Sequence, residues 1–141
     1  MNELLSIRGD IQIVLNGEVV VEKKNLIVQV GKNFCANAII NSSTTPFTAM
    51  AVGTGTTAAA LSDTTLQTEL ARSAYTSSSV STNVVTLATT FAAGTATGAL
   101  TEAGIFNNNT SGGTMLSRVV FSAVNKGALD TLTLNWTLTL G

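Results

Sequence analysis

The sequence predicts a mainly β fold, an antiparallel β-sandwich or a jelly-roll-like barrel with one short helix. Short runs rich in β-branched residues recur along the chain, and turn residues separate them. The C-terminal stretch alternates strictly between apolar and polar side chains, whereas helical periodicity is limited to one short segment. At 141 residues the chain has room for one core. We therefore expect residues 1–141 to form a single β-rich domain.

The N-terminal part predicts a β-hairpin. Two β-branched runs lie between Asp10 and Val28, and the pair Asn16-Gly17 separates them. This pair tolerates positive φ at both central positions of a two-residue turn. Residues 1–30 are therefore expected to form an N-terminal hairpin or arm.

The segment Gly31–Asn41 predicts the short helix, because Cys35, Ala38 and Ile39 share one helical face. Cys35 is the only cysteine, so no intrachain disulfide can form. Its neighbour Phe34 is apolar, and we expect Cys35 to be a small buried hydrophobic residue.

A strand predicted over Phe47–Val52 enters the glycine-containing loop Gly53–Thr57. The loop lacks the lysine of a phosphate-binding P-loop, and Ala58 stands where a dinucleotide fingerprint has its third glycine. Because alanine can occupy that position, a nucleotide site stays an alternative. The favoured interpretation is a structural turn, in which Gly53 and Gly55 adopt positive φ.

Further strands are predicted in the second half of the chain. Ser77–Ala93 is rich in serine and threonine, but its valines favour two short strands with a turn near Thr82-Asn83. Two more strands are expected over Ala99–Phe106 and Thr114–Val124, on either side of a broad turn. By contrast, Leu61–Arg72 shows no clear period.

The C-terminal strand shows its two faces most clearly. Leucines and Trp136 occupy one parity of "TLTLNWTLTL", while threonines and Asn135 occupy the other. The leucine face is expected to lie in the core, with Trp136 as its largest anchor. The threonine face is then left for solvent or for a partner.

The composition excludes several classes of function. Only 11% of the residues are charged, against about 25% in an average soluble domain. The net charge of −1 provides no basic patch for nucleic acid, and no apolar run is long enough to span a membrane. The N-terminus has no signal-peptide pattern, so synthesis in a cytoplasm is expected. Scarce surface charge favours a homo-oligomer, in which subunits cover part of the surface.

The residues that carry most enzyme chemistry are missing or scattered. The chain has no histidine, the commonest general base and metal ligand. Its eight carboxylates are spread along the sequence without a recognisable pair. We expect no enzyme activity, no metal site and no cofactor.

Two charged residues stand in apolar surroundings, Arg72 after "TEL" and Glu102 in "LTEAGIF". One interpretation makes them a buried ion pair that fixes a subunit interface or a strand register. The other makes them solvated charges at strand edges, which contribute little.

Most of the chain resembles a group of small structural proteins of tailed-bacteriophage particles. The resemblance lies in four stretches: "NLIVQVGKNF" (Asn25–Phe34), "MAVGTGTTAAALSDTTLQTELAR" (Met50–Arg72), "LTEAGIF" (Leu100–Phe106) and "VNKGALDTLTLNWTLTL" (Val124–Leu140). It implies a β-rich virion protein made in the host cytoplasm. The favoured role is a capsid decoration (cement) protein on the capsid surface, a homotrimer bound to the major capsid protein.

The resemblance leaves a second role open, as a component of the tail, collar or fibre that binds other tail proteins. Coiled-coil heptads and collagen-like repeats are missing from the sequence, which disfavours an elongated fibre. A non-viral β-sandwich binding module is the third interpretation.

Overall fold

A computed structural model describes residues 6–141, and its two packed five-stranded antiparallel sheets confirm the predicted β-sandwich. One short helix accompanies the strands. The elements in chain order are β1 (Ile7–Leu15), β2 (Glu18–Lys24), β3 (Leu26–Ile27), α1 (Gln29–Ala38), β4 (Ala49–Gly53), β5 (Glu69–Ala74), β6 (Ser77–Ser81), β7 (Val84–Phe91), β8 (Gly98–Phe106), β9 (Met115–Lys126) and β10 (Leu132–Leu140).

The strand order is β2-β1-β10-β7-β6 in the first sheet and β3-β9-β8-β4-β5 in the second. Every described strand pair is antiparallel. The edge strands are therefore β2 and β6 in the first sheet, and β3 and β5 in the second.

The main core lies between the sheets, and β10 contributes its leucine face to it. Trp136, Leu134 and Leu132 are at most 1% exposed, whereas Thr133 and Asn135 between them are half-buried. The alternation read from the sequence is thus confirmed from Leu132 to Leu138, while Leu140 at the end of the strand is 40% exposed. Trp136 lies opposite Ile11 of β1 and Leu87 of β7, so it packs at the centre of the first sheet.

Asn16 and Gly17 form the turn between β1 and β2, with φ angles of 51° and 84°. The Asn16 side chain donates to the Asp130 carboxylate at 2.9 Å and accepts from the backbone N–H of Thr131 at 3.0 Å. This bond to Asn16, with a second from the backbone of Gly127, lowers the pKa of Asp130. The hairpin is therefore fastened to the turn before β10.

The helix differs from its prediction in position and in its buried side. It covers Gln29–Ala38 instead of Gly31–Asn41, and Gly31 is its buried residue. A Cβ on Gly31 would collide with the backbone of Leu116 in β9, so the helix approaches the sheet at its first turns. The predicted face is wrong at its far end: Cys35 is half-buried against the core, but Ala38 is exposed and Ile39 is 82% exposed.

Candidate functional site

A loop between β4 and β5 lies on the outer face of the second sheet, and the Glu102 carboxylate holds it there. Glu102 comes from β8 and is 0% exposed. Its two oxygens accept the backbone N–H groups of Gly55 at 2.7 Å, Gln67 at 2.8 Å and Thr68 at 2.8 Å. One carboxylate thus joins both ends of the loop to the sheet.

Arg118 of β9 completes this cluster. Its Nε donates to Glu102 at 3.0 Å, and its Nη1 donates to Asp63 of the loop at 2.9 Å. Burial raises the pKa of the Glu102 carboxyl, but the three backbone donors and Arg118 outweigh it and lower the pKa below its ordinary value. Glu102 is therefore a buried carboxylate that stays ionised at neutral pH.

The two glycines of this loop have a different purpose from the predicted one. Neither Gly53 nor Gly55 is among the residues with positive φ. A Cβ on Gly53 would collide with the Thr68 carbonyl oxygen, and one on Gly55 with the Glu102 carboxylate. Glycine is required because the backbone approaches other groups closely, not because the turn is left-handed.

The same geometry speaks against a nucleotide site in the loop. The backbone N–H of Thr54 donates to the Thr68 carbonyl, and those of Thr56 and Thr57 donate to the Gln67 side chain at 2.9 and 3.0 Å. A phosphate would need these donors free, and it would meet the Glu102 carboxylate. The structural interpretation of the loop is retained.

Both interpretations of Arg72 and Glu102 are wrong: they do not pair with each other, and they are not solvated charges, because both side chains are buried. Strand β4 separates β5, which carries Arg72, from β8, which carries Glu102, so each side chain binds a nearer partner. Arg72 forms a two-bond ion pair with Glu69, at 2.7 and 3.0 Å. It also lies 3.9 Å above the centre of the Phe106 ring.

Arg72 holds a second loop, the broad turn between β8 and β9. Its Nη1 donates to the carbonyl oxygens of Asn108 at 3.0 Å and Gly112 at 2.8 Å. Its side chain is 3% exposed. Both arginines therefore fasten loops to the outer face of the second sheet, and their hydrogen bonds are made within the chain.

Arg118 and Asp63 were not predicted as site residues from the sequence. Arg118 stands in "MLSRVVF", an apolar stretch like the one that drew attention to Glu102. The same signal would have found it, and the β8–β9 register places Arg118 opposite Gly104, two residues from Glu102. Asp63 lies in an irregular loop, where no periodic pattern indicates a side chain's direction.

This cluster does not offer catalytic chemistry. Glu102 and Arg118 are buried and bonded to each other, so neither is placed to exchange protons with a substrate. Within residues 6–141 there is no group of three or more histidine, cysteine or acidic side chains placed to hold a metal ion. The hydrogen bonds of Glu102 and Arg118 instead hold the loop between β4 and β5 against the sheet.

Two other regions of the protein, unlike the ion-pair cluster, present uncharged or apolar side chains to solvent. Residues 73–101, 29 in all, contain no charged side chain, and they include β6 and β7. Val80 on β6 is 70% exposed. A second apolar area, the helix-end patch, comprises Cys35, Ile39, Ile40 and Leu140, and Ile40 is 89% exposed.

No protein-family model, curated protein or solved structure matches this chain. Within the part of the chain that the structure describes, no helix has the length and apolarity needed to cross a membrane.

Proposed function

We propose that this protein is a phage capsid decoration protein, which binds major capsid subunits on the outside of the head and stabilises the shell. The observation that carries the proposal is an exposed surface without charge, formed by the stretch 73–101 and the helix-end patch, in a domain whose two buried arginines both form ion pairs within the chain. Such a surface suits association by area and backbone pairing. The homotrimeric state comes from the resemblance of the sequence alone.

The helix-end patch is the favoured contact with the capsid. Ile39 is 82% exposed and lines a groove of about 530 Å³ with Ile7, Ile27, Leu140 and Lys32. Ile40 follows Ile39 in the chain and is 89% exposed. Solvent-exposed aliphatic side chains beside a groove are typical of a protein contact. Leu129 is 91% exposed but stands alone on the turn before β10, so it serves as a matched control.

The test adds purified protein to capsids that lack it and counts the bound copies. We expect binding at many equivalent sites on the shell, followed by greater resistance to heat, because a ligand that prefers the intact shell stabilises it. Ile40→Lys should weaken binding by about tenfold or more, a loss of about 1.4 kcal/mol. Leu129→Lys should bind as the unmodified protein does.

Two results would reject the decoration role. Binding confined to the portal end of the head would indicate a tail or collar component instead. Saturating binding without any gain in heat resistance would remove the stabilising function. Equal binding by the two lysine variants would leave the capsid role intact but exclude the helix-end patch as the contact.

A further inference from the structure

The four sheet edges of this protein differ in how they are protected from pairing with another chain. Natural edge strands are usually blocked by charges, by bulges or by being very short. Strand β2 carries four charged residues and a register shift, and β3 has only two residues. Strand β5 carries Glu69 and Arg72 and also has a register shift.

Strand β6 has none of these protections. Its sequence, Ser77–Ser81, contains no charge and no proline, and all five residues are exposed. It pairs with β7 without a register shift over its whole length. Of the edges within residues 6–141, β6 is the one open to a further strand.

The backbone groups available on β6 follow from its turn. The hairpin closes with Ser81 opposite Val84 across two residues, which makes that pair a hydrogen-bonded one. By alternation Ser77 and Ser79 also bond to β7. The N–H and C=O groups of Ser78 and Val80 therefore point away from the sheet, toward the open side.

We propose that β6 pairs antiparallel with β6 of a second copy of this chain, joining two five-stranded sheets into one continuous sheet. With the two-fold axis at Ser79, each Ser78 lies opposite the partner's Val80, and the two pairs form about four backbone hydrogen bonds. The exposed Val80 side chains lie on the same face of the joined sheet, where the pairing partly covers them.

The absence of charge favours a second copy over another kind of partner. No residue from 73 to 101 is charged, so two identical edges meet without repulsion between like charges. A charged strand would lose hydration there and find no opposite charge on β6. The small serines also allow close approach of the two backbones.

Pairing over five residues buries little surface, so the contact is expected to be weak and concentration-dependent. It is two-fold, because the same strand contacts itself. The proposed β6 pairing does not rest on the decoration role. By itself the pairing forms a dimer. Together with a three-fold contact, it joins trimers in pairs.

The experiment compares the unmodified protein with Val80→Lys and with Leu129→Lys by sedimentation equilibrium, up to about 1 mM, a concentration that detects millimolar affinity. Both changes replace an exposed aliphatic residue by lysine, but only the first lies on β6. The unmodified protein and Leu129→Lys should form even-numbered species. Val80→Lys should weaken that association by at least about tenfold, or 1.4 kcal/mol.

Hydrogen exchange provides a second measurement that does not need a variant. The amides of Ser78 and Val80 should gain protection as protein concentration rises, because they become donors only in the pair. If Val80→Lys does not fold, Ser78→Lys takes its place in the sedimentation experiment.

Three outcomes would overturn the pairing. One is a purely monomeric or trimeric unmodified protein at the highest concentration. Another is equal association of the β6 variant and Leu129→Lys. The last is exchange at Ser78 and Val80 that does not change with concentration.

Discussion

The two loops on the outer face of the second sheet are held by charged side chains, whereas the β6–β7 hairpin contains none. Glu102, Arg118 and Arg72 are nearly inaccessible to solvent, and together they bond to both loops. The hairpin keeps its place through backbone pairing and through the apolar residues that β7 sends into the core. In this molecule most of the buried charge shapes loops, and the uncharged hairpin leaves an edge open to a partner.

The largest loss of stability is expected in the apolar core against which the uncharged hairpin packs, because burial alone stabilises the side chains there. Trp136→Ala should lower the free energy of unfolding by about 3–5 kcal/mol, because it empties a large site in the core next to Leu87. Urea unfolding followed by circular dichroism measures this loss. The effect should be the same at pH 4 and pH 7. A loss below about 1 kcal/mol would contradict the burial of Trp136.

On the charged side, Glu102→Gln should lower the free energy of unfolding by about 3 kcal/mol. The change leaves Arg118 buried with a weaker set of partners, and removing one member of a buried pair costs about 3–5 kcal/mol. Glu69→Gln is the control, because its side chain is 31% exposed and its loss should cost no more than about 1 kcal/mol. Equal losses in the two variants would mean that Glu102 has no special part in holding the loop.

How much of this contrast could be predicted from the sequence depends on the range of the interactions. The alternation in β10 and the Asn16-Gly17 turn are local patterns, and they indicated the strand faces and the hairpin directly. The partners of Glu102 lie 16 to 47 residues away along the chain. Only the sheet order brings them together. The sequence therefore left a mutual ion pair of Arg72 and Glu102 and solvated edge charges as alternatives, and neither matches the observed pairs with Glu69 and Arg118.

The sheet edges, too, could not be predicted from local sequence patterns. Strand β6 was expected as half of a serine-rich hairpin, but its position at the edge of a sheet depends on where β10 and β7 pair. Strand β5 was not predicted, because neither of its faces is fully buried and it shows no clear alternation. Protection of an edge is a property of the sheet, and a single strand's sequence does not reveal it.

Low pH should reduce the part of the unfolding free energy that comes from the Glu102 carboxylate. The folded state lowers the pKa of Glu102 below its ordinary value of 4.5, so its contribution is complete above that pH and is lost as the pH falls through the lower, folded-state pKa. The difference in unfolding free energy between the unmodified protein and Glu102→Gln should therefore shrink below about pH 4. Asp130, whose pKa is also lowered, is present in both proteins and cancels in this difference. A difference that does not vary with pH would show that the charge of Glu102 is unimportant.

The smallest effect is expected from salt. The contacts between molecules are expected to be uncharged, unlike the ion pairs that hold the loops within one molecule. At about 1 M NaCl the Debye length falls to about 3 Å, so associations that depend on exposed charges weaken strongly. The open edge β6 carries no charge, and the helix-end patch consists of apolar residues beside a groove that Lys32 also lines. Self-association and capsid binding should therefore change by less than about threefold between 0.15 and 1 M NaCl, measured by sedimentation and by copies bound per capsid. Dissociation at high salt would mean that charged residues outside these two surfaces, such as those of β2, form the contact, and the contrast between the two regions would no longer hold.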